Sequence, residues 1–486
     1  TEPMMNGIGG DLFAIYWDAK SGKLYGLNSS GWAPQALTVA HVKAKDASSM
    51  PEEGIDTVTV PGAVAGWDAL HTRFGKAPWK DIFQAAIFYA QNGYPVPELI
   101  HDFWVESAAD VSRDPESRRV YLSTGKPPAV GEIFKNVDLS KALRLIAQQG
   151  ASAYYQGEIA HAILDTEKQL GGTMAADDLA QFRPEWVEPV STTYRGWTVY
   201  ELPPNGQGMA ALEMLNIMEV TPASADGPSS VTELHKKIEA MKLAYADLYR
   251  YNADPRFAKV PVKGLLSKEY AKERAKLIDP AKANCEVMAG APPTSDTTYL
   301  TAVDRDGNIV SLIQSNYASF GSGITVRGMG FALQNRGALF SLDPASPNVL
   351  APRKRPFHTI IPAFMEKGDQ HIGFGIMGGP NQPLAHAQFV SNIVDYGMNI
   401  QAALENARFT VSDKRGCNIL IESRVKPDVR DKLTALGHQL EVRKEYSATM
   451  GRGQAVLHDA GSGVNYGASD ARADGSAEPE APPIAW

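Results

Sequence analysis

The sequence predicts an α/β protein, because strand-like and helix-like patterns occupy separate stretches of one chain. Residues 8–27 are β-prone, the next 250 or so are largely helical, and strand-forming runs resume near residue 290. At the start, GIGGDLFAIYWD and GKLYGL read as short strands around an Asp-Ala-Lys-Ser-Gly turn. In the helical stretch Ser230 and Glu233 form a capping box, after which Leu234, Ile238, Met241, Tyr245 and Leu248 recur at helical spacing. A second helix is expected from Trp79 to Gln91, stopped by Asn92-Gly93 and Pro95. Ala291-Pro292-Pro293-Thr294-Ser295 reads as a loop. TTYLTAV and IVSLIQS follow it and flank Asp306-Gly307, a strong hairpin signal. If that pair is a two-residue turn, Arg305 faces Asn308, Ser315 lies opposite Thr298, and Asn316 opposite Thr297. HIGFGIM then reads as a strand ending at Gly378-Gly379-Pro380, with a helix near Ala385 to Tyr396 and an acidic, Pro-rich tail from Asp474.

The 486 residues are 44% hydrophobic and 21% charged, which excludes collagen, coiled coil and wholesale disorder. A net charge of −8 without a long basic run argues against nucleic acid as a partner. No uncharged apolar run reaches the ~18 residues of a membrane span. Cys285 and Cys417 are too few for a disulfide framework or a Cys-rich metal site; they are either buried thiols or one bridge. The opening TEPMMNGIGGDLF lacks a signal-peptide pattern and reads as the interior of a domain.

No H-E-x-x-H, EF-hand loop, Walker A or G-x-S-x-G element is present, and no metal or cofactor is expected. Gly373-x-Gly375-x-x-Gly378 fits a dinucleotide pattern, with Asp395 downstream. However, Gly379 and Pro380-Asn381-Gln382-Pro383 stand where a phosphate-binding helix should begin, so the match is set aside. Asp296-Thr297-Thr298 alone is only a Thr pair entering a strand.

The text around that pair resembles the γ-glutamyltranspeptidases, which are N-terminal-nucleophile hydrolases. The matching pieces are EPMMNGIGGDLF, VPGAVAGW, GASAYYQGEIA, LPPNGQG, DTTYLTAVDRDGN, FGSGI, KRPFHTIIP, GGP and YGASDARADG, in the family's order across nearly the whole chain. Members carry further residues ahead of the first piece, so a first segment is expected to be missing. The resemblance implies a four-layer αββα sandwich made as one precursor and cut between Asp296 and Thr297. Residues 1–296 would be a large piece carrying a helical layer, and 297–486 a small piece beginning with the nucleophile; the two stay associated as one unit. Thr297 would supply the attacking hydroxyl and, once freed, an α-amine to act as its base, with a pKa near ~7.7–8.0. Ser315 stands where the family has a threonine that supports the nucleophile, and Gly378 and Gly379 match its oxyanion hole.

The residues that hold a γ-glutamyl group do not carry over. Tyr317 falls on the family's asparagine, Arg336 on its glutamine or glutamate, Leu339 on its aspartate, and Ser30 on its carboxylate-clamping arginine. The paired serines fall on His358 and Thr359. Leu339 cannot hold an α-ammonium, whereas Arg336 offers a fork suited to a carboxylate. The pattern resembles the acylase and amidohydrolase branch, with a small, anionic amide as substrate. The competing expectations are a genuine γ-glutamyltransferase or glutathione hydrolase, and a non-processing binding or structural relative. A periplasmic or secreted location is expected over a cytoplasmic one. Residues 297–486 hold 18 basic and 18 acidic residues, so the whole −8 lies in the first 296. Residues 320–360 are locally basic, with Arg327, Arg336, Arg353, Lys354 and Arg355 against Asp343, which suggests an anionic substrate nearby.

Overall fold

The computed structural model describes residues 2–287, 296–411 and 416–479, with Asp296 by its backbone alone. The loop expected at 291–295 and the last residues of the acidic tail lie outside the described residues. DLFAIYWD forms β1 (Asp11–Asp18) and KLYGLNS forms β2 (Lys23–Ser29). Alternate side chains of a strand point to opposite faces, and both faces of β1 are covered. Phe13, Ile15 and Trp17 enter one apolar cluster, and Leu12 and Ala14 another. That double burial explains why the run is apolar at most positions rather than at every second one.

The first sheet also contains β3 (Glu185–Val187), β6 (Asp296–Val303) and β7 (Ile309–Tyr317), in the order β3-β2-β1-β7-β6. The second has β4 (Val190–Tyr194), β5 (Trp197–Glu201), β8 (Ala363–Lys367), β9 (Gln370–Met377), β10 (Arg452–Asp459) and β11 (Val464–Ser469), in the order β11-β10-β9-β8-β5-β4. All pairings in both sheets are antiparallel. The three strands β3 to β5 interrupt the stretch expected to be largely helical.

Between the sheets lie Phe13, Ile15, Leu202, Tyr299, Ile313, Ile360 and Phe364. Helix α1 (Ala63–Phe74) covers the outer face of the first sheet through Ala63, Trp67 and Leu70. Helices α2 (Gly208–Glu219), α3 (Val231–Tyr251) and α4 (Gln382–Val394) share a core with Val199, Met365, Ile372, Phe374 and Ile376 of the second. The architecture is therefore the αββα sandwich. The sheets approach closely at β9: a Cβ on Gly373 would lie 2.6 Å from Ile309, and one on Gly375 2.3 Å from the Tyr299 ring. These glycines serve sheet packing, which accounts for the spurious dinucleotide pattern.

Three local expectations are corrected. The helix expected at 79–91 breaks at the buried Phe83 into Trp79–Ile82 and Gln84–Asn92. The box on α3 is one-sided: Ser230 Oγ accepts from Glu233 N–H at 3.3 Å, while the Glu233 carboxylate turns to Ser224 N–H and Lys236. The β6–β7 connection is a three-residue loop, because Asp304 Oδ1 accepts from the N–H groups of Asp306 and Asn308, both at 2.9 Å, and Gly307 takes φ 80°. Val303 therefore pairs with Ile309 and Thr298 with Gln314, one place off the expected register. Asp296 nevertheless pairs with Tyr317, so Ser315 and Asn316 together oppose Thr297 in a β-bulge.

Candidate active site

The bulge brings the Thr297 and Ser315 side chains together. Both are buried, and Thr297 Oγ1 donates to Ser315 Oγ at 3.2 Å. Ser315 Oγ also accepts from Tyr317 N–H at 2.8 Å and from Arg336 Nη2 at 2.7 Å. Arg336 opens a short 3-10 turn, Arg336–Leu339, and its Nη1 donates to Thr359 Oγ1 at 2.6 Å. Its guanidinium lies 4.7 Å from the centre of the Tyr317 ring. Burial pulls the Arg336 pKa down to about 10, opposed by Asp11 and Tyr317, and burial pushes the Tyr317 hydroxyl up to about 12. Among the described residues, no carboxylate lies within ion-pair distance of Arg336, and its Nε has no partner.

The other basic residues of the locally basic stretch 320–360 are each held by the protein. Arg327 pairs with Asp114, Arg353 with Asp178 and Arg355 with Glu185, while Lys354 Nζ donates to the carbonyls of Pro347 and Val349. Among the described residues of this stretch, Arg327, Arg353 and Arg355 are answered by carboxylates and Lys354 by carbonyls, whereas Arg336 is held by hydroxyls alone.

His358, Ser30 and Leu339 are engaged by the protein itself. His358 Nε2 donates to Asp11 Oδ2 at 3.0 Å and its Nδ1 accepts from Ile360 N–H at 3.4 Å. Burial and the nearby Arg336 pull its pKa down to about 4, so the ring is neutral. Ser30 Oγ accepts from Asn205 Nδ2, and its carbonyl accepts from Arg355 Nε. Leu339 packs against the helical core of the second sheet. The Thr359 hydroxyl, by contrast, stays with Arg336.

At the end of β9, Gly378 (φ 140°) and Gly379 (φ 58°) adopt backbone angles that favour glycine. The Gly379 carbonyl accepts from Gln207 Nε2 at 2.8 Å, and the same amide donates to the Thr359 carbonyl at 2.5 Å. One side chain thus ties the glycine turn to the Arg336 partner. Met377, Thr297, Thr298, Arg452, Glu2 and Asn6 line a cavity of about 390 Å³ beside the nucleophile candidate. Thr298 Oγ1 accepts from Asn6 Nδ2 and donates to Glu2, both at 2.7 Å.

Sequence reasoning had assigned no role to Asp11, Gln207, Glu2, Asn6 or Arg452. The first four lie inside EPMMNGIGGDLF and LPPNGQG, so the segments were visible and the individual contacts were not. Asp11 is a hub: its Oδ1 accepts from Gly31 N–H, Gly62 N–H and Gln334 Nε2.

Among the described residues, one group has the composition of a metal site: His235, Glu239 and His438, all buried. Lys242 Nζ holds Glu239 at 2.6 Å and the imidazoles meet each other at 2.8 Å, so an ion would have to displace both contacts.

The family model described as Gamma-glutamyltranspeptidase matches residues 1–480. The chain is 37% identical over 482 residues to the glutathione hydrolase-like YwrD proenzyme of Bacillus subtilis, covering 98% of this chain and 90% of that one. It is 32% identical over 486 residues to the oxamate amidohydrolase proenzyme of Klebsiella pneumoniae, with the same two coverages, 98% and 90%. The crystal structure of a cephalosporin acylase from Bacillus halodurans superposes with a TM-score of 0.91 at 42% identity, over 98% of this chain and 88% of that one. By sequence and by fold, the chain belongs to the γ-glutamyltranspeptidase family of N-terminal-nucleophile hydrolases and acyltransferases.

Proposed function

We propose that the chain is a precursor that cuts itself between Asp296 and Thr297. The Thr297 hydroxyl then hydrolyses a small amide whose acyl group carries a carboxylate and no α-ammonium. The observation that carries the substrate class is Arg336, a fully buried cation hydrogen-bonded to Ser315 and Thr359 with no contacting carboxylate among the described residues. A buried charge is costly until an opposite charge meets it, so an entering carboxylate is favoured. Leu339 offers nothing to an ammonium. A relative named as an oxamate amidohydrolase supports this reading, since oxamate bears its carboxylate next to the amide.

In self-cleavage Thr297 Oγ1 attacks the carbonyl carbon of Asp296, the C–N bond to Thr297 breaks, and water hydrolyses the resulting ester. The freed α-amine then takes the proton from Oγ1 as the hydroxyl attacks substrate. The N–H groups of Gly378 and Gly379 receive the oxyanion, each donor contributing roughly 3–4 kcal/mol. The leaving amine departs with the transferred proton, and water resolves the acyl-enzyme. Ser315 orients the nucleophile by hydrogen bonding to Oγ1.

Denaturing electrophoresis under reducing conditions tests the first claim. The wild type should give pieces of 296 and 190 residues and Thr297→Ala only the 486-residue chain. A wild type that never splits removes the nucleophile role. A panel of oxamate, glutaryl amide and γ-glutamyl anilide tests the second claim, and preferred turnover of the γ-glutamyl compound would reject a pocket that excludes an α-ammonium.

A further inference from the structure

Cys285 and Cys417 form a disulfide between residues 132 apart in sequence. Cys285 lies upstream of the proposed scissile bond and Cys417 downstream, so the loop closed by the disulfide contains that bond. We propose that this disulfide is an inter-fragment tether, keeping the mature enzyme one covalent molecule after self-cleavage until a reductant opens it. The proposal rests on the cleavage reading of Thr297.

The seam around the bond is built from both sides. Ala283 N–H donates to the Leu436 carbonyl at 2.7 Å, and His235 meets His438 at 2.8 Å, each contact joining a residue upstream of Thr297 to one downstream.

The environment also suits formation of the bond. Cys285 is exposed and Cys417 is buried at 3% exposure, so a donor disulfide reaches Cys285 first. The Cys285 thiolate attacks one donor sulfur, forming a mixed disulfide and releasing one donor thiol. The Cys417 thiolate then attacks the Cys285 sulfur and the second donor thiol leaves. Two electrons and two protons pass from the protein to the donor, a disulfide of the kind oxidising compartments supply. Lys242 Nζ, 3.7 Å from Cys417 Sγ, favours the thiolate that makes the second attack.

The test uses wild-type enzyme from an oxidising compartment, alkylated before denaturation and run with and without reductant. The expected result is one species of full length without reductant and two with it. Cys285→Ser should give two species in both lanes. Two wild-type species without reductant overturn the tether while leaving self-cleavage intact. One wild-type species even with reductant overturns the cleavage reading and the tether with it. In solution, the unfolding midpoint of cleaved enzyme should become dependent on protein concentration only after reduction. A midpoint that shifts on dilution before reduction counts against the tether.

Discussion

Arg336 holds Ser315 with one arm and Thr359 with the other, so removing its charge acts on two things at once. Arg336→Met should lower kcat/KM for an acidic acyl amide roughly 10- to 100-fold, the worth of charge-assisted hydrogen bonds at ~1.5–3 kcal/mol. An uncharged acyl amide, sensing only the loosened Ser315, should fall less; equal losses on both would count against the carboxylate role. Acid sensitivity also belongs to single residues. Burial pulls His358 to about 4 and His386 and His438 to about 3. An unfolded histidine binds its proton near pH ~6.5, so stability is full above that value. It falls as the pH drops toward 4, by up to ~1.4 kcal/mol per pH unit for each of the three. Urea midpoints at pH 7.5 and 5 measure it, and replacing His358 with Gln should flatten the dependence. The sequence showed that Arg336 stood in an unusual place. It could not show that Thr359 and Ser315 would hold it, because those contacts depend on how separate elements come together.

The elements carry their own lesson in the β6–β7 hairpin. Asp306-Gly307 announced the turn, but the Asp304 carboxylate, by capping two N–H groups, lengthened it to three residues and moved the ladder one place. The bulge at Ser315-Asn316 then absorbs the shift where it matters. No residue type advertises a bulge, and the bulged strand β7 also pairs on its other edge with β1, where Ser315 faces Asp11. Ser315→Ala should leave the strands in place while slowing the appearance of cut chain, followed over time on reducing gels. Close approach of the two sheets makes Gly375 sensitive: Gly375→Ala, with Tyr299 2.3 Å from the new Cβ, should lower stability by ~1–3 kcal/mol in urea unfolding.

At the scale of the molecule, the αββα order was legible because short motifs fall in sequence along nearly the whole chain. What the motifs did not reveal is how the acidic excess of residues 1–296 is used. Asp114, Asp178 and Glu185 from that portion neutralise Arg327, Arg353 and Arg355 from the other. Each of the two sheets of the sandwich likewise mixes strands from both sides of the Asp296–Thr297 bond: β1 to β3 with β6 and β7, and β4 and β5 with β8 to β11. Residues 1–296 or 297–486 produced alone should show no cooperative thermal transition by circular dichroism. A cooperative transition in either would refute a shared core.

That interleaving gives maturation a second meaning. The bulge that seats the Thr297 hydroxyl, the proposed nucleophile, needs β6 and β7 paired and β7 laid against β1 of the upstream portion. On the proposed cleavage, a chain that severs itself has passed an inspection of its own assembly, and the ratio of cut to uncut chains in a cell extract would count how many molecules folded.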